Sequence, residues 1–453
     1  MTGSDRAPEV RILSFVNHIP PGRDVERSID RALEWGVDYI VAQGTGSDWG
    51  PYWLGSGDAP ATDLGNNVRP YLRAAVAHRI PFLFSFGIAG ADVHLERSLA
   101  ALDRVCEQEG WSFRLGVVAT ELEPGALAEF AEDGREIRRA QEVDELAECL
   151  SPDAARRLVR AVGLIGPEPL VDLLGRGGID GIVTGRALDI ALFMAPAMFS
   201  GVPRAVAGHL GKLLECAGFA LEPGDSAQPV WGRADAESVE IRSPNPDYRA
   251  TVKSLASHSF YERSDPTKED NPGGTLDLGG CEYEIVGDGI RSRGAQWRDA
   301  PYTVLVEGAE LAGFRSVVLM GVRDPLLLDQ FDPWVQAMRR DVDGAERFAG
   351  REYEIGVRRY GDTAGETAVG VVLDVVAETQ ELASELAYFA FIRLFVGPYR
   401  DRKTTAGNVE VPFMPLVMPT GPVYRFGAYH LLPLEDPAEV FTSSRLTVPR
   451  SGL

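Results

Sequence analysis

Cysteine is scarce in this sequence, and its four copies are scattered. They stand at Cys106, Cys149, Cys216 and Cys281, with no CxxC pair and no Cys/His cluster of zinc-site spacing. Long apolar runs are also missing, because no stretch approaches the ~18 continuous apolar residues of a membrane helix. The polar first nine residues do not resemble an export signal. These absences exclude a zinc knuckle and predict an unexported, cytoplasmic protein.

Basic residues are few relative to acidic ones. Lys and Arg number 45 and Asp and Glu 67, which gives a formal net charge of −22. A field of that sign repels phosphate backbones and anionic lipid headgroups. We therefore expect no nucleic-acid partner and no membrane partner.

Length and hydrophobic pattern predict two domains. The 453 residues correspond to two or three domains at about 150 residues each. From residue 10 to about 220, short apolar runs alternate with amphipathic stretches, a βαβ pattern typical of a parallel sheet. After residue 219, Pro, Gly, Asn and Asp cluster without an apolar period. We predict an α/β fold, with a Rossmann-like parallel-sheet domain over 1–225 and an α+β domain over 226–453 that completes a cleft.

A glycine-rich loop follows the second predicted strand. Residues 44–57 hold five glycines among three large aromatic side chains. Glycine allows a backbone to approach a ligand closely, and aromatic rings offer flat apolar walls. We predict substrate contacts from Gly46, Tyr52 and Gly55, and the alternative is a decorated surface loop.

Two further strand ends carry polar side chains. Asp92, His94 and Glu96 alternate after the third strand, where they suggest either a metal site or, more simply, a helix start; no metal is assigned. Arg186 and Asp189 follow the strand 182–184. The guanidinium group of Arg186 could bind a carboxylate or phosphate, with Asp189 beside it. The alternative is a structural ion pair between Arg186 and Asp189.

The helix over 209–216 places a basic residue and a thiol on one face. Helical spacing puts His209, Lys212 and Cys216 together. A nucleophilic thiol is one interpretation. A small buried thiol beside a solvated Lys/Glu edge is the favoured one.

Two clusters in the second half carry candidate chemistry. His258 is the preferred general acid/base, with Tyr261 and Glu262 beside it to fix its tautomer; a hydrogen-bonded core histidine is the alternative. The loop with Lys403, Thr404, Thr405 and Asn408 offers donors for an anionic group. The sequence contains no GxxxxGK[ST] loop, no GxGxxG after the first strand, no HExxH and no GxSxG. Their absence disfavours a nucleotide-binding protein, a zinc protease and a hydrolase with a nucleophile elbow.

Several long motifs, in order, resemble the acyclic terpene utilisation (AtuA) family of bacterial proteins. They are GPYWLGSG (50–57), AGADVH (89–94), DGIVTGRALD (180–189), HLGKLLECA (209–217), SLASHSFYERSDP (254–266), PGGTLDL (272–278), YTVLVEGAELAGFRS (302–316), GVRDP (321–325), KTTAGN (403–408) and GPVYRF (421–426). The resemblance implies a role in catabolism of branched acyclic terpene acids as CoA thioesters. Members of the family often carry, or act with, a small ferredoxin-like domain. No such domain is recognised in this sequence, and the resemblance therefore implies either a separate partner subunit or a divergent role.

Together these patterns predict an enzyme that acts on a small branched carboxylic acid or its CoA thioester by proton transfer, as a hydratase, lyase or isomerase. Arg186 and Lys403 would hold the anionic group, and His258 would move the proton. The sequence indicates no particular cofactor, and we expect a homo-oligomer. The alternative is a non-catalytic subunit that binds a metabolite or a partner protein.

Overall fold

The chain divides into two units that each have their own core. A computed structural model describes residues 7–261, 265–361, 368–405 and 409–450. The first unit comprises the residues up to Ala309 together with those from Phe426 onward, and the second comprises Glu310–Arg425. The predicted boundary after residue 225 lies inside the first unit.

Helices and strands alternate over the first unit and continue into the second. The α-helices are α1 (Val25–Trp35), α2 (Tyr52–Ser56), α3 (Leu64–His78), α4 (Asp92–Glu109), α5 (Pro124–Glu132), α6 (Pro152–Arg157), α7 (Pro167–Arg176), α8 (Ala191–Phe199), α9 (Arg204–Leu214), α10 (Val252–Phe260), α11 (Pro325–Leu328), α12 (Phe331–Asp343) and α13 (Gln380–Val396). Among the described residues, no helix has the length and apolar character needed to cross a membrane.

The strands range from two to twenty residues. They are β1 (Glu9–Val16), β2 (Tyr39–Gln43), β3 (Phe82–Ser85), β4 (Phe113–Ala119), β5 (Glu121–Leu122), β6 (Arg138–Arg139), β7 (Leu158–Gly163), β8 (Gly181–Thr184), β9 (Val230–Asp235), β10 (Ser238–Arg242), β11 (Lys268–Asn271), β12 (Gly274–Asp277), β13 (Glu282–Val286), β14 (Gly289–Arg293), β15 (Gln296–Asp299), β16 (Thr303–Val322), β17 (Tyr353–Tyr360), β18 (Val369–Ala377), β19 (Val409–Glu410), β20 (Met418–Pro433) and β21 (Thr442–Val448).

A ten-stranded mixed sheet organises the first unit, in the order β13-β14-β10-β9-β1-β2-β3-β8-β4-β21. Strands β1, β2, β3, β8 and β4 run parallel, with Ile12 opposite Tyr39 and Phe82 opposite Gly181. On either side the pairing becomes antiparallel, because β9 pairs with β1 and β21 with β4. The predicted α/β class is therefore confirmed, but the sheet is mixed rather than parallel throughout, and β9 carries the chain beyond residue 225 back into the same sheet.

Both faces of the parallel strands are buried. Successive side chains of a strand point to opposite faces, and Ile12 belongs to one hydrophobic cluster while Leu13 belongs to another. The first cluster includes side chains of α8 and α9, and the second includes side chains of α1, α3 and α4. Polar groups of this sheet can meet solvent only at the strand ends, which is where a site is expected.

The second unit packs helices on an antiparallel sheet. Strand β18 lies between β17 and β16, with Phe314 opposite Ala377. Helices α12 and α13 supply much of its buried apolar core, including Trp334 and Leu386. Helices α11 and α12 precede β17, and α13 follows β18. Strand β16 continues through Gly313, whose φ of 139° is a conformation that L side chains rarely adopt.

Candidate functional site

An acidic cleft of about 290 Å³ opens at the carboxyl ends of β1, β2 and β8, beside the loop that follows β3. All of its lining residues belong to the first unit. They are Val16, His18, Ile19, Gln43, Gly44, Thr45, Gly46, Ser47, Asp48, Trp49, Ile88, Arg186, Asp189, Glu215, Cys216, Ser226 and Tyr261. Ligands collect at this edge of parallel sheets because backbone groups and loops are exposed there. The cleft is the candidate functional site.

Two glycines allow the loops around the cleft to contact one another. A Cβ added to Gly44 would lie 2.0 Å from Asn17 Oδ1, and one added to Gly90 would lie 2.2 Å from the Arg186 backbone nitrogen. Gly90 also has φ 69°, a conformation that L side chains rarely adopt. The strand-end loops can therefore pack against one another only with glycine at these two positions. Their contact fixes the position of the Arg186 backbone.

Arg186 is held by a carboxylate that the sequence did not reveal. Its Nε and Nη2 atoms donate to the two carboxylate oxygens of Glu307, each at 3.1 Å, and Nη1 donates to Thr45 O and to Asp189 Oδ1. Both side chains of the pair are about 5 % exposed. Burial opposes the charged guanidinium, but the Glu307 carboxylate outweighs it and raises the pKa of Arg186. The predicted Asp189 pair is present as the weaker contact, and most of the donors of Arg186 are already used.

A buried ion pair lies on another wall of the cleft. Lys212 Nζ donates to Glu215 Oε1 at 2.5 Å, and its charge also stands 4.5 Å from the centre of the Tyr261 ring. The Lys212 and Glu215 side chains are only 7 % and 5 % exposed. The expectation of a solvated Lys/Glu edge on this helix is wrong, because α9 is packed on both sides and Glu215 directly follows it.

Cys216 and Tyr261 complete this wall, and His258 packs next to them. Cys216 Sγ lies 3.0 Å from the Tyr261 hydroxyl, and the buried His258 ring stacks on the Tyr261 ring with centroids 4.9 Å apart. Burial, together with the Glu215 charge, raises the pKa of Cys216 to about 12. Cys216 is therefore a neutral thiol near pH 7, which disfavours the nucleophilic interpretation.

The same wall has the donor types of a metal site. The ligand atoms of Glu215, Cys216 and His258 all lie within 4.8 Å of one another. Their chemistry does not favour a cation, however. The ammonium group of Lys212 already contacts Glu215 and would repel a cation there.

Glu215 is the acid best placed for proton transfer. It lines the cleft, whereas the predicted general acid/base His258 stacks on Tyr261 and is not among the lining residues. Burial raises the pKa of Glu215, although Lys212 acts in the opposite direction. A carboxyl group with a raised pKa keeps its proton closer to neutral pH, which suits a general acid.

Other predicted residues are dispersed. Gly46 lines the cleft as predicted, but Tyr52 and Gly55 lie on α2, outside its lining. Lys403, Thr404 and Thr405 belong to the second unit. Glu262 and Asn408 lie outside the described residues.

Asp92, His94 and Glu96, the residues of the possible metal site, lie at the start of a helix. Helix α4 begins at Asp92, so the three side chains do not alternate along an extended segment. Glu96 pairs with Arg450, and His94 contacts the backbone oxygen of Asp58. The helix-start interpretation is confirmed.

Sequence reasoning missed the polar residues at the first two strand ends. Asn17 and His18 directly follow β1, and Gln43 ends β2 and donates to Asp189 Oδ1 at 2.9 Å. Their positions after apolar strands were a signal that could have found them. Glu307 gave no such signal, because it lies inside β16 and meets Arg186 only after folding.

No protein-family model, curated protein or solved structure matches the chain. Function is accordingly inferred from the geometry and charge of the cleft and from the sequence motifs.

Proposed function

We propose that the protein is an AtuA-like enzyme that moves protons on the acyl group of a small branched CoA thioester, as an isomerase or as a hydratase/lyase. The observation that carries this proposal is the buried Glu215–Lys212 pair at 2.5 Å on the wall of the acidic cleft. Acids in such surroundings hold protons that they can deliver to a reacting atom.

The proposed chemistry uses carboxyl groups in opposite protonation states. Asp48 or Asp189, as a carboxylate, removes the acidic proton next to the thioester carbonyl, and the electron pair moves into the enolate. Glu215 then delivers a proton to another carbon, or to a hydroxyl group that leaves as water. Arg186 is a positioning residue here, because Glu307 uses two of its donor nitrogens and holds the strand-end loop.

Charge favours the thioester over the free acid. The cleft is lined by one arginine, which Glu307 neutralises, and by the carboxylates of Asp48 and Asp189, while the third carboxyl group, Glu215, carries its proton. A free carboxylate entering it would meet like charge. A thioester carbonyl is neutral and avoids this repulsion, so the carboxylic acid itself becomes the weaker candidate.

Several finer features remain part of the proposal. The parallel strands buried on both faces support a Rossmann-like layering, although their order β1-β2-β3-β8-β4 runs outward from β1. The anion-holding role of Lys403 and its loop, a cytoplasmic location, homo-oligomerisation and a small ferredoxin-like partner subunit stand as predictions. The sequence motifs support the AtuA-like assignment.

Deuterium exchange tests the proposed function. The protein is incubated in D₂O with a panel of short branched saturated and unsaturated acyl-CoA thioesters, and products are followed by mass spectrometry. We expect deuterium incorporation or water addition for at least one thioester. Glu215→Gln should lower the rate by about 10²- to 10⁴-fold, the usual contribution of a general acid.

The control is Glu129→Gln, which changes an exposed glutamate on α5 and should leave the rate unchanged. Full activity of Glu215→Gln would remove Glu215 from the mechanism. A panel in which no thioester exchanges would overturn the enzyme proposal and favour a non-catalytic binding subunit.

A further inference from the structure

A second and larger cavity adjoins the acidic cleft. Its volume is about 610 Å³, and residues of α3 and α4 form much of its wall. It shares His18, Gly44 and Ile88 with the cleft, so the two spaces lie on either side of the same strand-end residues. We call it the arginine cavity, after Arg69, Arg97 and Arg104. Its size lies within the range of small-molecule sites.

The charge of the arginine cavity is opposite to that of the cleft. Arg69, Arg97 and Arg104 line it together with a single acidic residue, Asp63. Arg69 pairs with Glu109 and donates to Gln108 Oε1 at 2.6 Å, and Arg97 lies 3.9 Å from Asp58. Arg104 is exposed and has no ion-pair partner among the residues the structure describes. The positive charge of the cavity is therefore only partly neutralised by the acidic residues around it.

Two polar side chains beside this cavity are almost fully buried. Asn17 and His94 line it, and each is only 1 % exposed. Asn17 Nδ2 donates to Ser85 O, which orients Oδ1 as the free end of the amide, and Oδ1 has no partner in the described part of the chain. His94 Nε2 meets Asp58 O, a carbonyl that can only accept, so Nε2 carries the proton.

His94 stays neutral at this position. Burial lowers the pKa of His94, and the nearby charges of Arg160 and Arg97 act in the same direction, while hydrogen bonds with the backbone of Asp58 and Trp53 oppose them. The positive charge of the cavity therefore comes from its arginines.

We infer that the arginine cavity binds a phosphate ester. The arginines take the phosphate oxygens, and the rest of the ester fills the cavity of about 610 Å³. This deepens the proposed function and rests on it in one respect: the same ligand places its phosphorylated end in the arginine cavity and its acyl end in the acidic cleft. Such an end is either the nucleotide part of a thioester or a sugar phosphate.

Calorimetric titration of the full chain tests the inference without turnover. The probes are ribose 5-phosphate, adenosine 3′,5′-bisphosphate, inorganic phosphate and ribose. We expect both phosphate esters to bind saturably and more tightly than inorganic phosphate or ribose. Arg104→Gln and Arg97→Gln should each weaken binding by about tenfold or more, as expected for a charged hydrogen bond. Stronger binding of the bisphosphate identifies the nucleotide source, and stronger binding of ribose 5-phosphate identifies the sugar phosphate.

The matched control is Arg73→Gln, which removes an exposed arginine of α3 that does not line the cavity. It should bind as the wild type does. Absence of saturable binding by both esters, or equal binding by Arg104→Gln, overturns the inference. Glu215→Gln should still bind both esters. Binding of the esters can therefore be confirmed even if the proposed reaction is not observed.

Discussion

Arg186 and Glu215 show how partners decide the role of a charged side chain. Both are buried at the cleft, and each has a partner of opposite charge. Two oxygens of Glu307 match the guanidinium fork of Arg186, so that pair is a fixed structural element. Glu215 meets a single ammonium group and has a raised pKa, because burial outweighs Lys212. The first pair fixes a loop, whereas the second holds a transferable proton.

The pH dependence of stability should report the proton of Glu215. Because burial raises its pKa, the folded protein holds this proton more tightly than the unfolded chain does. The stabilising contribution is thus present at low pH and is lost as pH rises through the raised pKa. We expect the Tm of the wild type, relative to Glu215→Gln, to fall between about pH 5 and about pH 9.

Differential scanning calorimetry checks this, with Glu129→Gln as a variant whose Tm should follow the wild type at every pH. The charged groups that act on Glu215 are Lys212, which lowers its pKa, and Glu269 and Asp189, which raise it. A Tm difference between wild type and Glu215→Gln that rises with pH would show that the pKa of Glu215 is lowered instead.

At the scale of elements, the site is made by the loops that end parallel strands. Gly44 follows β2, Gly90 follows β3 and Arg186 follows β8, and the three segments are in backbone contact. Arg186 N donates to Gly90 O at 3.2 Å, which joins two loops that are far apart in the chain. A change in one loop should therefore affect the other.

Two glycines of similar backbone conformation should respond differently to alanine. Gly90 has φ 69° and Gly110 has φ 71°, but only a Cβ at Gly90 meets neighbouring backbone, at 2.2 Å from Arg186 N, whereas Gly110 faces open space. Gly110→Ala should cost about 1 kcal/mol of unfolding free energy from backbone strain. Gly90→Ala should cost about 2 to 4 kcal/mol more, because the backbone must move.

Urea denaturation of the two variants measures this difference. Equal losses of unfolding free energy would show that the contact between the Gly90 loop and Arg186 relaxes without cost.

At the scale of the whole molecule, the candidate site belongs to one unit. Every residue that lines the acidic cleft or the arginine cavity lies in the first unit. The second unit has its own buried cluster, which includes Leu386 of α13. Packing defects there should lower stability without altering the chemistry of the cleft.

Leu386→Ala tests this separation. Leu386 is fully buried, so the truncation should cost about 2 to 5 kcal/mol of unfolding free energy. Leu326→Ala, at a leucine that is 42 % exposed in the same unit, should cost much less. At room temperature, both variants should bind ribose 5-phosphate as the wild type does. Weaker binding by folded Leu386→Ala would show that the second unit shapes the site.

The sequence by itself determined the elements and the edge of the sheet at which to look. Apolar runs and amphipathic stretches are local signals, and they predicted the alternation of strands and helices from residue 10 to about 220. The strand-end rule likewise directed attention to Gly46, Arg186 and Asp189, all of which line the cleft.

Only the tertiary structure decided which charges meet. Glu307 lies 121 residues from Arg186 along the chain, and Asn17 lies 77 residues from His94, so no local pattern relates them. Nor could spacing reveal that Lys212 and Glu215 are buried, because burial depends on what packs against α9. Electrostatic roles follow from desolvation and from distances in space, and folding sets both.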